Sequence, residues 1–421
     1  MSLCLVIFFW GTILAGPPLP YKGQVYRSLP DTVRFPGPRK ARGDTAVQEV
    51  RIGLFGPSLK SKPGISTPQE ARMGLSLFRG AKLALDEANE EGGFGGRPFV
   101  LVHRQVDGPW GIASREMVGL VYEDEVWAIL GSVDGPNSHI AEQICTKAWV
   151  PVVTPTATDP SLTQVNDPWL FRCIPTDEDQ AIALAEYIFR IKGYTKVGGV
   201  FLDGDDENYG RIGIREFERT ARRMGHPLTI KVGFRLGQRD FSDQVELVMK
   251  DGPEALVIWG TPEESGRFVR ELREVGLKQD IFGSSMLAVP TFLEAAGRWA
   301  EGVTVVWPYD PSREDTLNLK FRERFEETYG ESPDFYAAYA YDGMRMIIHA
   351  IRKAGLNQGS IRDILAGIRG FPGVTGPITL DGSGNRVTSL KLAVVRGRRF
   401  VDTGWSWSYR ELIPTFPQPP P

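Results

Sequence analysis

The chain has 421 residues, 42% of them hydrophobic, with 49 Lys and Arg against 52 Asp and Glu and a net charge of -3. That balance gives no electrostatic footprint for nucleic acid or an anionic membrane surface, and the length allows two or three domains. Three cysteines and four histidines are too few and too scattered for a metal cluster; no metal or cofactor is expected, and Cys145 and Cys173 read as free buried thiols, with a disulfide as the alternative.

In chain order, Leu3 to Ala15 is an apolar run too short to span a bilayer comfortably. It fits the core of a secretory signal over residues 1–16, with Ala15 and Gly16 near the cut. No Lys or Arg precedes it, so a misplaced start or an uncleaved membrane anchor is the alternative. Residues 17–48 are Pro-rich and read as a linker. Val50 to Phe55 reads as the first strand and Gly56 to Gly74 as a long loop. From Met73 a helical face forms through Leu77, Ala81, Ala84, Leu85 and Ala88. GGFGGRP ends that helix, Phe99 to His103 is a strand, and a helix covers Ile112 to Tyr122.

Val126 to Leu130 is a short buried strand that stops at Gly131. Asp134, Gly135, Pro136 and Asn137 then form a turn and N-cap signal. Ile140, Ile144 and Ala148 recur at helical spacing, and Val150 to Val153 is a second strand, ended by TPTAT. Two parallel strands joined by a helix place both C-terminal ends at one sheet edge, where open α/β sheets bind ligands. Loops Ser132–Ser138 and Thr154–Asp159 therefore face one crevice. They offer hydroxyls, backbone N–H groups and a helix N-terminus, a set suited to an anionic or strongly polar small molecule.

After Thr163 the alternation restarts, with helices over 177–191, 209–224, 241–250 and 263–275 and strands over 196–202, 228–234, 255–259, 281–283 and 303–307. Residues 313–369 read as mainly helical. Late strands are expected at Ile378–Leu380 and Leu390–Val395, and a Pro-rich tail follows. The fold class is α/β, with parallel sheets covered by helices on both faces. The strands are too many for one ordinary sheet, so two similar lobes are expected. No G-x-G-x-x-G follows a strand, no Walker A sequence occurs, and no G-x-S-x-G elbow is present. Nothing catalytic is expected, and the Pro-rich segment before Glu49 cannot supply a DNA-binding helix-turn-helix.

The series RGAKLALDEANEEGGFGGRPFVLV, AILGSVDGPNSHIA, VPVVTPTATDPSLT, FRCIPTDEDQ, NYGRIG, RDFSDQV, REVGLK, AAYAYDGMRMIIHAI and GVTGPITLDGSGN, in this order, resembles the type I periplasmic binding proteins, in particular the leucine/isoleucine/valine-binding family that serves ABC transporters. The resemblance implies two Rossmann-like lobes joined by a three-strand hinge. It places lobe one at 49–174 plus 309–375 and lobe two at 175–308 plus 376–402, with crossings near 172–176, 304–309 and 374–377 and a tail over 403–421. It also implies an exported, periplasmic or secreted monomer that captures a small polar ligand, an amino acid or related metabolite, and delivers it to an ABC permease. A sensor or scaffold of the same fold, signalling to a partner protein, is the alternative.

Matched position by position, the resemblance implies ligand contacts at Asp134, Gly135, Asn137 and Ser138, at Thr156, Ala157 and Thr158, at Tyr209 ahead of Gly210, and at Thr261 and Ser285. Each also has a plainer reading: Asp134 as a helix cap, Thr156 and Thr158 as turn formers, Tyr209 as packing. Four departures bear on the ligand. Ser285 stands where amino-acid binders carry an acid, Asp134 adds a charge, Pro136 removes an amide donor, and the first loop is long. Two ligand readings stay open: an α-amino acid, or a solute whose hydroxyl or cationic group meets Asp134.

Overall fold

The computed structural model describes residues 47–62, 66–106, 110–165, 167–204 and 209–408. The expected signal, most of the expected linker and the end of the tail lie outside them. The chain opens with β1 (Val50–Gly56), α1 (Pro68–Glu90), β2 (Phe99–Gln105), α2 (Trp110–Val118), β3 (Ile129–Gly131), α3 (Gly135–Ala148), β4 (Val152–Thr154), α4 (Ser161–Gln164) and β5 (Leu170–Arg172). The strands form one parallel sheet in the order β2-β1-β3-β4-β5. Continuous apolar runs are what a sheet covered on both faces requires. Burying each Val, Ile or Leu side chain contributes about 1.5–3 kcal/mol.

Helix α1 begins six residues before the Gly74 boundary expected from sequence. Pro68 and the nearby glycine had made this stretch read as loop. A capping box sets the start instead: Glu70 N–H donates to Thr67 Oγ1 at 3.1 Å, and Thr67 N–H donates to Glu70 Oε2 at 2.6 Å. Pro68 occupies the first helical position, where its missing N–H costs nothing.

The second half runs α5 (Asp177–Ala185), β6 (Val197–Leu202), α6 (Tyr209–Arg223), β7 (Lys231–Phe234), α7 (Ser242–Asp251), β8 (Ala255–Trp259), α8 (Pro262–Glu274), β9 (Asp280–Gly283), α9 (Pro290–Ala296) and β10 (Thr304–Trp307). After α10 (Thr316–Tyr329), α11 (Phe335–Ala354) and α12 (Gln358–Ala366), the chain closes with β11 (Leu390–Arg396) and β12 (Arg399–Trp407). The second sheet has the order β12-β11-β10-β9-β8-β6-β7. Its β11 and β12 are antiparallel additions at one edge. Strand β12 extends past Asp402, where the folded body was expected to end. Its sequence, RFVDTGWSW, is largely exposed, and edge strands carry polar residues that hide them from an apolar-run reading. The expected strand at Ile378–Leu380 is only a pair of isolated bridges, to Phe371 and Arg386.

Helices α10 to α12 return to the first sheet. Phe335 to Ile351 share one core with β1, β3 and α1. Helix α11 meets α1 at Gly80, where an added Cβ would stand 2.1 Å from the Ala337 carbonyl oxygen, so only glycine permits the approach. The chain passes between the lobes three times. Ile174, Tyr309 and Leu380 belong to the first lobe's core, and Ala181, Val306 and Leu390 to the second's. The third passage thus falls between Leu380 and Leu390, later than the expected 374–377, because Ile378 and Leu380 stay in the first core. Cys145 and Cys173 are free and buried, beside Met117 and Met346 respectively. Among the described residues, no helix is long and apolar enough to cross a membrane.

Candidate functional site

Both sheets have a switch point, where strand order reverses. In the first sheet it lies between β1 and β3, and in the second between β6 and β8. Ligands of open α/β sheets bind at the carboxyl ends of strands beside such points. All ten residues singled out in the sequence lie on loops or first helical turns just after β3, β4, β6, β8 and β9.

On the first lobe, two turns are fastened edge to edge. Thr154 Oγ1 donates to the Ser132 carbonyl at 2.6 Å, and Thr156 Oγ1 donates to the Val133 carbonyl at 3.3 Å. Asp134 caps α3: Asn137 donates its backbone N–H at 2.7 Å and its side-chain amide at 2.9 Å to the Asp134 carboxylate, and Ser132 Oγ adds a 3.3 Å bond. Asp134 and Asn137 are thereby committed to each other. Gly135 sits against Asp159, whose Oδ2 would be 3.0 Å from an added Cβ. Ser138 is fully buried, and its hydroxyl has no hydrogen-bond partner. Arg172 braces the second turn from beneath, donating to the Ala157 and Asp159 carbonyls at 2.8 and 2.7 Å.

His139 joins the two turns from outside. Its ring nitrogens lie 3.1 Å from Glu142 Oε2, 3.0 Å from Ser161 Oγ and 3.5 Å from Asp159 Oδ2. Hydrogen bonding to Asp159, then to Glu142, pushes the imidazole up to about 9. Burial would raise the Asp159 carboxyl, but the bonds from His139 and Ser161 overcome it and hold the group below its ordinary value. A raised imidazole stabilises the fold fully below about pH 6.5, and the contribution is lost as pH rises through about 9. The ring is one-third exposed, which limits this to about 1 kcal/mol or less. His139→Gln is therefore expected to flatten the fall in stability between pH 6.5 and 9; urea titrations across that window check it, and an unchanged slope would refute the assignment.

On the second lobe, the Tyr209 hydroxyl meets Ser284 Oγ at 2.5 Å. Burial, then the nearby Asp177, holds the Tyr209 phenol well above its usual range, so it stays neutral. Ser285 N–H donates to Gln180 Oε1 at 2.9 Å. The Ser285 hydroxyl and Gln180 Nε2 are buried without a partner. Thr261 turns back on its own helix, donating to Glu264 Oε2 at 2.6 Å. Residues 205–208, before Tyr209, lie outside the described set.

Two residues not singled out in the sequence link the walls. Asp177, at the start of α5, accepts from Thr158 Oγ1 on the first lobe and from Trp259 Nε1 at the tip of β8, each at 3.0 Å. Burial pushes its carboxyl up to about 7. The sequence signal was the TDED run, in which the Thr176–Asp179 capping box marks the helix start and leaves the intervening acid to the interior. Tyr336, in the first turn of α11, donates to Met286 Sδ across the cleft at 3.2 Å. At the cleft edge Arg72 lies 3.5 Å from Glu294. Among the described residues, no group of His, Cys, Asp and Glu is placed to hold a metal.

A family model described as "Periplasmic binding protein" matches residues 51–399. The chain is 26% identical over 350 residues to the Leu/Ile/Val-binding protein homolog 2 of Brucella abortus (strain 2308), an alignment covering 82% of this chain and 90% of that one. Its fold is similar to a leucine binding protein of Thermotoga maritima, with a TM-score of 0.77, 24% identity, and coverage of 86% and 99% of the two chains. It is also similar to a solute binding protein of R. palustris solved in complex with benzoate, with a TM-score of 0.74, 18% identity, and coverage of 85% and 96%.

Proposed function

Because the chain belongs to the periplasmic binding protein family, we propose that it captures a small polar solute between its two lobes and delivers it to the membrane permease of an ABC transporter. One observation carries this reading: loops from both sheets meet through Thr158, Asp177 and Trp259, so that the tips of strands on opposite lobes share one buried carboxylate. A solute contacting both tips favours the closed arrangement, and closure driven by contacts available only when closed is how hinged lobes trap a ligand. We place the protein in the periplasm or outside the cell, with residues 1–16 as its export signal, and we read it as acting by capture, without catalysis.

The relatives' names support amino-acid-like and aromatic acids as first candidates, since they include leucine, isoleucine, valine and benzoate. The test is thermal unfolding of the purified protein against a panel of such metabolites. A true ligand at 100 times its dissociation constant adds about 2.7 kcal/mol of stability. Tyr209→Phe removes the hydroxyl shared with Ser284 and is expected to weaken the response. No shift with any panel member would count against solute capture.

A further inference from the structure

We propose that Met286 and Val289 set the affinity of the cleft for every solute alike, through an apolar contact between the lobes that forms only when they close. This rests on the reading that the cleft captures a solute, and it adds residues that act on capture without touching the solute.

The segment that follows β9 is shared between two cores. It makes one 3-10 turn, Ser285–Leu287, and enters α9 at Pro290. A residue before proline is held extended, and Val289 has φ -133° and ψ 155°. Side chains along this stretch divide between the lobes. Leu287 and Phe292 belong to the second lobe's core, and Ala288 packs on it. Val289 is 5% exposed and belongs to the first lobe's core, and Met286 packs against that same core. Both residues are carried by the second sheet, yet both are covered by the first lobe.

Tyr336 supplies part of the cover, its hydroxyl 3.2 Å from Met286 Sδ. Arg72 of α1 and Glu294 of α9 also face each other across the lobes, but both side chains are more than half exposed, and such a pair contributes little. The apolar part decides. Opening the lobes returns Met286 and Val289 to water, and burying one side chain the size of valine shifts a closed-to-open ratio by about tenfold to hundredfold. The observed affinity of a solute scales with the fraction of protein in the arrangement that holds it. A contact the protein makes with itself changes that fraction by one factor, whatever the chemistry of the solute. A residue that touches the solute changes the affinity of each solute differently.

The test uses Val289→Ser in the full chain, with Val289→Thr as the milder variant and Met286→Ala as its parallel. The first readout needs no solute. With Cys4→Ser, Arg72→Cys and Glu294→Cys, the rate at which a short bismaleimide links the introduced thiols reports how often the lobes close. That rate is expected to fall about tenfold in Val289→Ser, while the unfolding midpoint changes little, since open lobes expose position 289 to water. The second readout is calorimetric affinity for leucine, valine and benzoate. Every probe that binds is expected to weaken by the factor seen in the cross-linking rate. An unchanged rate, whether or not the midpoint falls, or a loss for one probe and not another, overturns the inference and leaves solute capture intact. Binding of no probe counts against solute capture, and the cross-linking rate then decides the contact by itself.

Discussion

Arg172→Met is expected to cost about 3–5 kcal/mol of stability, among the largest effects of any single substitution here. Arg172 is fully buried at the end of β5. Its guanidinium donates to the Ala157 and Asp159 carbonyls, to Asn385 Oδ1 at 3.1 Å and to Thr163 Oγ1 at 3.3 Å. Methionine keeps most of the stem volume and removes every donor. The Ala157 carbonyl is then left buried without a partner, at about 1–3 kcal/mol, the Asp159 carbonyl keeps only the Leu162 N–H at 3.4 Å, and Asp159 loses a nearby positive charge. Lysine restores charge but not the planar fork, so Arg172→Lys is expected to fall between the two. Urea unfolding measures both. A methionine variant within about 1 kcal/mol of wild type would show that the turn does not depend on Arg172. Because the same turn carries Thr156 and Thr158, the methionine variant is also expected to lose ligand response.

Asp342→Ala is expected to destabilise by about 3 kcal/mol or more, and by a route that touches the hinge. Asp342 is fully buried in α11 and accepts from Val374 N–H at 2.8 Å, Thr375 N–H at 2.9 Å and Thr375 Oγ1 at 2.6 Å. Arg386 completes the knot, donating to Thr375 Oγ1 at 2.6 Å and to the Cys173 carbonyl at 3.0 Å. The chain beside the first passage between lobes and the segment 373–376 that precedes the third are thereby tied to α11. Burial raises the Asp342 carboxyl above its ordinary value, against the bonds from Thr375 and the attraction of Arg386. Alanine leaves two backbone N–H groups unpaired in the interior and removes the acceptor of the Thr375 hydroxyl, which keeps only the bond it accepts from Arg386. Hydrogen exchange should show protection lost first at residues 373–376. Unchanged exchange there, with unchanged stability, would contradict the assignment.

The strands were legible because the parallel sheets are covered on both faces, which forces continuous apolar runs such as LVIW in β8 and TVVW in β10. The start of α1 was misplaced because proline and glycine outweighed the Thr67–Glu70 capping signal. Strand β12 was cut short because an exposed edge strand need not look apolar. The two loops 132–138 and 154–159 were placed at one sheet edge from strand order, because the strand ends were visible, whereas the positions on the second lobe came only from the family resemblance. What each side chain does there was not. Asp134 is equally consistent in sequence with capping and with ligand contact, and only its geometry with Asn137 and Ser132 shows the cap. Asp177 and Trp259 are bonded although 82 positions apart, and Tyr336 meets a methionine 50 positions earlier on the other lobe. No local pattern encodes such pairings, because they depend on how two lobes come together.

Solute binding is expected to draw the two lobes together. Spin labels at Arg72→Cys and Glu294→Cys, with Cys4→Ser to leave only the buried native thiols, span the cleft edge where these side chains lie 3.5 Å apart. Pulsed dipolar spectroscopy with the solute giving the largest thermal shift is expected to collapse a broad, longer distance distribution into a single short one. The same distribution with and without a bound solute would show that the lobes do not close on it.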